Sequence, residues 1–313
     1  MNKLLKPLGI LALIILVSSV SVRLLTRGET LLDYADNHPE LAYATPDKTT
    51  VPSPSLTATP APLPTTAPSA KPTEPPVEAV TPLVVEDLEK SVHYADGFFY
   101  QPLTDEVIAR ITGISYPVSE TIAPALALTA TNVVSDKDAA SLAVSYDDLR
   151  YLNVQYYDFN GEVQTGELIC NKGIADDFME IFYELYLNEY QIEKIRLIDE
   201  YNGDDTASML DNNTSCFNYR VVDGTSSLSK HALGCAIDIN PFYNPYVVFN
   251  KDGSGETYIS PKGSEIYADR SQNFPYKIDE NDLCYKLFKE HGFIWGGNWN
   301  SCKDYQHFQK VVE

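Results

Sequence analysis

The side chains best suited to chemistry lie in two short segments. One is Ser229-Lys230-His231-Ala232-Leu233-Gly234-Cys235-Ala236-Ile237-Asp238-Ile239-Asn240, and the other, near the C-terminus, is Asp304-Tyr305-Gln306-His307. His231, Asp238 and His307 offer two imidazoles and a carboxylate. Zinc accepts that donor set, taking His nitrogen and Asp oxygen at about 2.0–2.2 Å. A catalytic zinc site has three protein ligands and one open position, and the ion lowers the pKa of water there to about 7. Asp304 precedes His307 by three residues, near enough to share the site without being forced to coordinate. A carboxylate so placed can take a proton from an attacking water and return it to a leaving group. A lone His beside an Asp is ordinarily a surface pair. Four suitable residues in two glycine- and aromatic-rich segments point instead to a hydrolytic metal site.

These residues need elements to hold them. Gly234 and Ala236 are small enough for backbone to pass close to an ion. If Cys235 to Asn240 is a strand, Ala236 and Asp238 share a face, Asp238 points into the site, and His231 comes from the loop before it. Cys235 then turns away, as a packing residue or a disulfide partner. Leu152, Val154 and Tyr156 alternate as in a half-buried strand, Asn160-Gly161 makes a hairpin turn, and Glu167 to Cys170 returns. Ile174, Phe178, Ile181, Phe182 and Leu185 repeat at helical spacing, which predicts an amphipathic helix over 174–188. Lys194 to Ile198 reads as another strand. Asp279 to His291 reads as a helix with Leu283, Leu287 and Phe288 inward and Gly292 as its stop; His291 suits the helix end. Thr104 is placed to cap a short helix through Val107 and Ile108. Residues 119–142, rich in Ala, Thr and Ser, read as a loop or insertion. Helices interleaved with antiparallel strands predict one α+β domain.

Composition bounds the rest. Lys3 and Lys6, an apolar run from Leu8 to Val22, then Arg23 and Arg27 form an export signal within residues 1–28. It is either an uncleaved membrane anchor or, with Ser19-Val20-Ser21 as a poor cleavage site, a removed signal peptide. Either way the remainder is extracytoplasmic. Eleven of the 20 prolines fall between Pro46 and Pro82, so residues 29–83 read as a spacer that cannot build a core and can extend roughly 100 Å. Order resumes near Val84, with 84–142 as an N-terminal extension packed on a domain at 143–313. A net charge of −21 argues against nucleic-acid binding. Five cysteines, Cys170, Cys216, Cys235, Cys284 and Cys302, allow one or two bridges and leave a thiol over.

The order Ser-x-His-x-x-Gly-x-Ala-x-Asp, a long gap, Trp-Gly-Gly-x-Trp and Asp-x-x-His resembles the VanY-type D-alanyl-D-alanine carboxypeptidase family of zinc peptidases. That family includes L-alanyl-D-glutamate endopeptidases and VanX-type dipeptidases. The resemblance covers roughly 143–313 and continues through Asn212 to Arg220, Asp238-Ile239-Asn240-Pro241 and Asn244-Pro245-Tyr246. It implies a single zinc peptidase domain of the Hedgehog/DD-peptidase type, with a central antiparallel sheet flanked by helices. It also implies one Zn2+ held by His231, Asp238 and His307, acid–base work by Asp304, and peptidoglycan stem peptides as substrate. Some members carry Glu in the last motif; this chain has Asp, one methylene shorter. Arg220 matches an arginine that faces the scissile carbonyl, where a guanidinium would stabilise an oxyanion; the bland alternative ties the loop to an acidic neighbour. Ser229 either contacts substrate or caps the ligand loop. Trp295 and Trp299 either wall the cleft or pack beneath it. The segment 247–278 is where carboxypeptidase and endopeptidase action would be decided, with the first favoured. The chain is expected to act as a monomer tethered to the membrane. A wall-binding module that keeps zinc for stability would be expected to lose the base, and Asp304 is present.

Overall fold

The computed structural model describes residues 87–125, 130–222, 225–249 and 255–312. The apolar run and proline-rich segment lie outside these residues. Among the described residues no helix is long and apolar enough to cross a membrane.

The centre is a hairpin of two nine-residue strands, β5 (Leu149–Tyr157) and β6 (Val163–Asn171), in register from Leu149↔Asn171 to Tyr157↔Val163. The turn falls where Asn160-Gly161 predicts it. Asp158 accepts from Asn160 N and Glu162 N through Oδ1, and Gly161 takes φ +78. β2 (Phe98–Pro102) pairs with the free edge of β5, and β1 (Val92–Ala95) pairs with β2, giving an antiparallel sheet ordered β1-β2-β5-β6. The segment before residue 143 therefore supplies two strands of the main sheet.

Of the next three helices, the first and third pack on this sheet. α1 (Asp105–Ile111) starts at Thr104, whose side chain accepts from Val107 N at 3.3 Å. Within 119–142, expected as a loop or insertion, α2 (Asp136–Ala139) is a single turn, Ala123–Ala125 is a 3-10 helix, and β4 (Val133–Val134) pairs in parallel with β3 (Val118–Ser119). α3 (Ala175–Leu187) buries Phe178, Ile181, Phe182 and Leu185, as its spacing predicts, against Leu152, Val154, Tyr156 and Leu168. The half-buried strand is the first correction. Leu149, Tyr151 and Ile169 are also buried, on the opposite face, beside Phe99 of β2 and under Val107, Ile111, Tyr116 and Phe217. Alternation marked one face only, because chain before and after the hairpin folds over the other.

Two further boundaries move. The expected strand Lys194–Ile198 keeps two residues, β7 (Lys194–Ile195), parallel to β8 (Asn213–Thr214). The Asn213 side chain then takes Arg196 N at 2.9 Å, and Ile198–Tyr201 turns into a 3-10 helix. α4 (Asp205–Leu210) follows, and α5 (Leu283–Glu290) begins four residues later than the expected Asp279. Asp282 is its cap, accepting from Cys284 N at 2.9 Å, while Asp279 closes its own turn onto Asn281 N. Competing Asp side chains decide where the helix starts. The five cysteines are all free thiols, so the allowed bridges are not formed.

Two small sheets carry Asp238, His307 and Asp304. β14 (His307–Gln309) lies between β12 (Ile294–Trp295) and β9 (Ala236–Asp238), all antiparallel. β10 (Tyr246–Phe249) lies between β11 (Thr257–Ser260) and β13 (Lys303–Asp304), with Tyr246 opposite Asp304. The chain is an α+β protein.

Phe308, 1% exposed, stacks on Phe288 at 4.5 Å and sits between His307 and Gln309. Phe308→Ala is expected to cost about 3–5 kcal/mol of stability. The urea midpoint of the metal-free protein should fall accordingly, with Phe308→Leu much milder.

Candidate metal centre

The β9–β14 register sets Asp238 directly opposite His307. Ile239 N donates to Gln306 O, and Lys310 N donates to Cys235 O. Counting inward along the ladder, Asp238 and His307 form a non-hydrogen-bonded pair, where side chains stand closest. Their side chains meet, His307 Nδ1 to Asp238 Oδ1 being 2.9 Å. Ala236 lies opposite Gln309. Its methyl leaves room for the Gln309 side chain on the same face as His307.

His231 comes from the preceding loop. Ser229 Oγ accepts from His231 N at 3.2 Å and opens the 3-10 turn Lys230–Leu233, which Gly234 ends with φ +66. A Cβ at Gly234 would stand 2.6 Å from Asn171 N, so this turn can pack on β6 only with glycine. His231 Nε2 then lies 3.2 Å from His307 Nδ1 and 3.4 Å from Asp238 Oδ2.

Outer hydrogen bonds set the ring tautomers. His231 Nδ1 is 2.6 Å from the Cys216 carbonyl, which can only accept, so that nitrogen carries hydrogen. His307 Nε2 faces Gln309 Oε1 at 3.0 Å and carries hydrogen likewise. The two inward nitrogens thus bring lone pairs toward a carboxylate. One ligand atom from each of His231, Asp238 and His307 lies within 4.8 Å of the others, and all three residues are buried. Three buried electron-pair donors facing one another need a cation or a proton between them. Their outer partners are the kind that orient metal-binding imidazoles. The set fits a divalent ion of zinc type.

The charges agree. Burial alone would raise the Asp238 carboxyl, but the charge and hydrogen bonds of His231 and His307 outweigh it and hold it well below the usual range. Burial alone would lower His307; the hydrogen bond and charge of Asp238 instead raise it to about 9. Burial, then the negative charge of Asp238, pushes the Asp304 carboxyl up to about 7. Its Oδ1 is buried and has no hydrogen-bond partner among the described residues. Gly296 permits this placement, since a Cβ there would stand 2.6 Å from Asp304 O.

The other expected residues divide. Arg220 Nη2 donates to Asp205 Oδ2 at 2.6 Å, the loop-tying contact, while its Nε is buried without a partner among the described residues. Its carbonyl accepts from Ser229 N, which keeps it beside the ligand loop. Ser229 is a cap. Trp299 lies against the His307 ring, centroids 5.3 Å apart. Trp295, 4% exposed, packs against Tyr285 and Phe308 and donates to Tyr305 O at 2.9 Å, so it offers almost no surface to a substrate. His291 caps α5 and faces Asp177 at 3.2 Å.

Two contributors, Gln309 and the Cys216 carbonyl, escaped the sequence reading. Gln309 was accessible to it, being two residues beyond His307 on one strand face. The Cys216 carbonyl was not, because a backbone atom has no residue-type signal. Arg270 donates to the carbonyls of Tyr243, Tyr267 and Ile278 and to Asn244 Oδ1, and stacks over Tyr305 at 4.3 Å. It ties the 241–278 segment to the chain between Asp304 and His307.

A family model described as D-alanyl-D-alanine carboxypeptidase matches residues 223–310. No curated protein and no solved structure matches the chain. The matched segment includes His231, Asp238, Asp304 and His307, and Arg220 lies just before it. The match supports, at a coarse level, a peptidase, and the His231–Asp238–His307 group could hold its metal.

Zinc is expected to bind the purified chain at one ion per molecule, read by elemental analysis. His231→Ala, Asp238→Ala or His307→Ala should abolish it, and Gln309→Ala should weaken it about 10–100-fold. Because the metal must displace the His307 proton, apparent affinity should rise with pH, by up to about tenfold per unit, and level off near pH 9. Chelator competition across pH checks the slope.

Proposed function

We propose that this protein is a zinc-dependent peptidase that removes the terminal residue from D-alanyl-D-alanine stems of peptidoglycan. The observation that carries the reading is the inward-facing triad with a buried carboxylate oxygen, that of Asp304, unpartnered among the described residues and three residues from one ligand. The family match favours the carboxypeptidase over an endopeptidase of the same family.

His231, Asp238 and His307 would hold the ion, with Cys216 O and Gln309 fixing the rings. When bound, zinc would polarise the scissile carbonyl and acidify water. Asp304 is the base in this reading: its free Oδ1 takes a proton from the attacking water, and the protonated carboxyl gives it to the departing amine. Burial and Asp238 raise its carboxyl, while a neighbouring cation favours the ionised form, so the two influences keep its proton exchangeable near neutral pH. Arg220 is assigned to the carbonyl oxygen through its unpartnered Nε–H, with Asp205 holding the other end of the guanidinium. Trp299 would face the substrate beside His307. The export signal and proline-rich spacer of the sequence would tether such a domain outside the membrane, within reach of the wall.

Incubation of the zinc-loaded chain with a peptide ending in D-alanyl-D-alanine should release D-alanine, and a chelator should stop it. Asp304→Asn should keep its zinc and lose about 10²–10⁴ of turnover. Undiminished activity in that variant would remove Asp304 from the mechanism. A cut between the first and second stem residues would make the enzyme an endopeptidase. Arg220→Lys should lower kcat about 10²-fold with little change in zinc content.

A further inference from the structure

Away from the metal ligands, Glu193, Leu210, Asp211, Asn212, Phe242 and Tyr243 line a pocket of about 230 Å³. It combines two aromatic rings with two carboxylates, and the carboxylates are not equivalent. Asp211 is neutralised by Lys194 and accepts from the Tyr201 hydroxyl at 2.7 Å. Glu193 forms no ion pair with any described residue; its side chain accepts one amide hydrogen, from Asn212 Nδ2 at 2.8 Å.

Buried amides hold both the charge and the rings. Asn212, 3% exposed, takes Phe242 N at 2.8 Å through Oδ1 while its amide holds Glu193. Asn240, fully buried and two residues beyond Asp238, takes Glu193 N at 3.0 Å. Both asparagines are in the left-handed region, at φ 52 and 45, which Asn tolerates better than most residues. Behind Tyr243, Tyr276 packs edge-on at 5.1 Å and stacks on Phe159 at 3.5 Å. Tyr276 itself has φ 60, a strained backbone for an aromatic residue and a kind of strain that collects at functional sites.

The charge balance selects the ligand. Burial first, then Tyr267 and Glu193, raises the Tyr243 hydroxyl to about 12; burial, then Glu193, raises that of Tyr276. Both phenols stay neutral at physiological pH, and Glu193 carries the uncompensated charge. An anion would be repelled, and a neutral sugar would leave that charge unpaired. A cation gains both the carboxylate and the electron-rich ring faces.

We propose that this pocket binds the ammonium group of an organic ligand, with Glu193 as counter-ion and Phe242 and Tyr243 as its aromatic walls. The proposal does not depend on the activity assigned to the metal centre.

Saturation-transfer NMR on the full chain, with three small probes, tests it. Nα-acetyl-lysine methylamide carries a primary ammonium, tetramethylammonium a quaternary one, and Nα,Nε-diacetyl-lysine methylamide none. At least one cation should bind at millimolar concentration, at least tenfold more tightly than the diacetyl probe. Whichever binds better assigns the primary or the quaternary source. Glu193→Gln, which keeps an oxygen for Asn212, should weaken cation binding at least tenfold while Tm and zinc content stay unchanged. Equal binding by Glu193→Gln, equal binding of the diacetyl probe, or no binding of either cation would overturn the proposal.

Discussion

The antiparallel pairing of β9 with β14 is the constraint on which the candidate site depends. It sets Asp238 opposite His307 and Ile237 opposite Phe308. Alternation then sends the two polar side chains to one face and the two apolar ones into the core, where Phe308 stacks on Phe288. A slip of one residue would exchange these faces, bringing Phe308 to the centre and burying His307 among apolar side chains. The aromatic packing beneath the strand and the donor set above it therefore specify the same register.

From that register the electrostatics follow. Three donors held together and out of water are costly unless a positive charge stands among them. In the metal-free protein the raised His307 supplies it as a proton; a divalent ion is the stronger solution. The Cys216 carbonyl and Gln309 keep the hydrogens of the two rings on the outer nitrogens. Asp304 approaches from the other small sheet, paired with Tyr246 and admitted by Gly296. Arg270 braces the neighbouring chain by stacking on Tyr305 and bonding to three carbonyls. The centre is thus assembled by separate elements, each locked by its own polar contacts.

Local signals survived folding where a local interaction decides the outcome. The Asn160-Gly161 turn, the Thr104 cap and the apolar stripe of α3 all lie where periodicity and turn chemistry put them. Signals failed where distant chain intervened. Alternation in β5 marked one buried face, because the cover over the other comes from Val107, Ile111 and Phe217. Lys194–Ile198 lost its last residues as a strand to the side chain of Asn213, and α5 lost its first turn to the cap at Asp282. Trp295 and Trp299 look equivalent around their two glycines, yet one is core and the other lies against His307.

The sequence by itself determined the donor types, their grouping into two short segments, the small residues between them and the α+β class, since these follow from side-chain chemistry and near-neighbour spacing. Only the tertiary structure decided the rest. It selected which atom of each imidazole faces inward, brought in Cys216 O and Gln309 as partners, tied Arg220 to Asp205, left one oxygen of Asp304 unpartnered, and kept every cysteine a free thiol. Those outcomes depend on strand register and on contacts between residues far apart in the chain, where the energy of a contact is set by geometry that spacing alone does not encode.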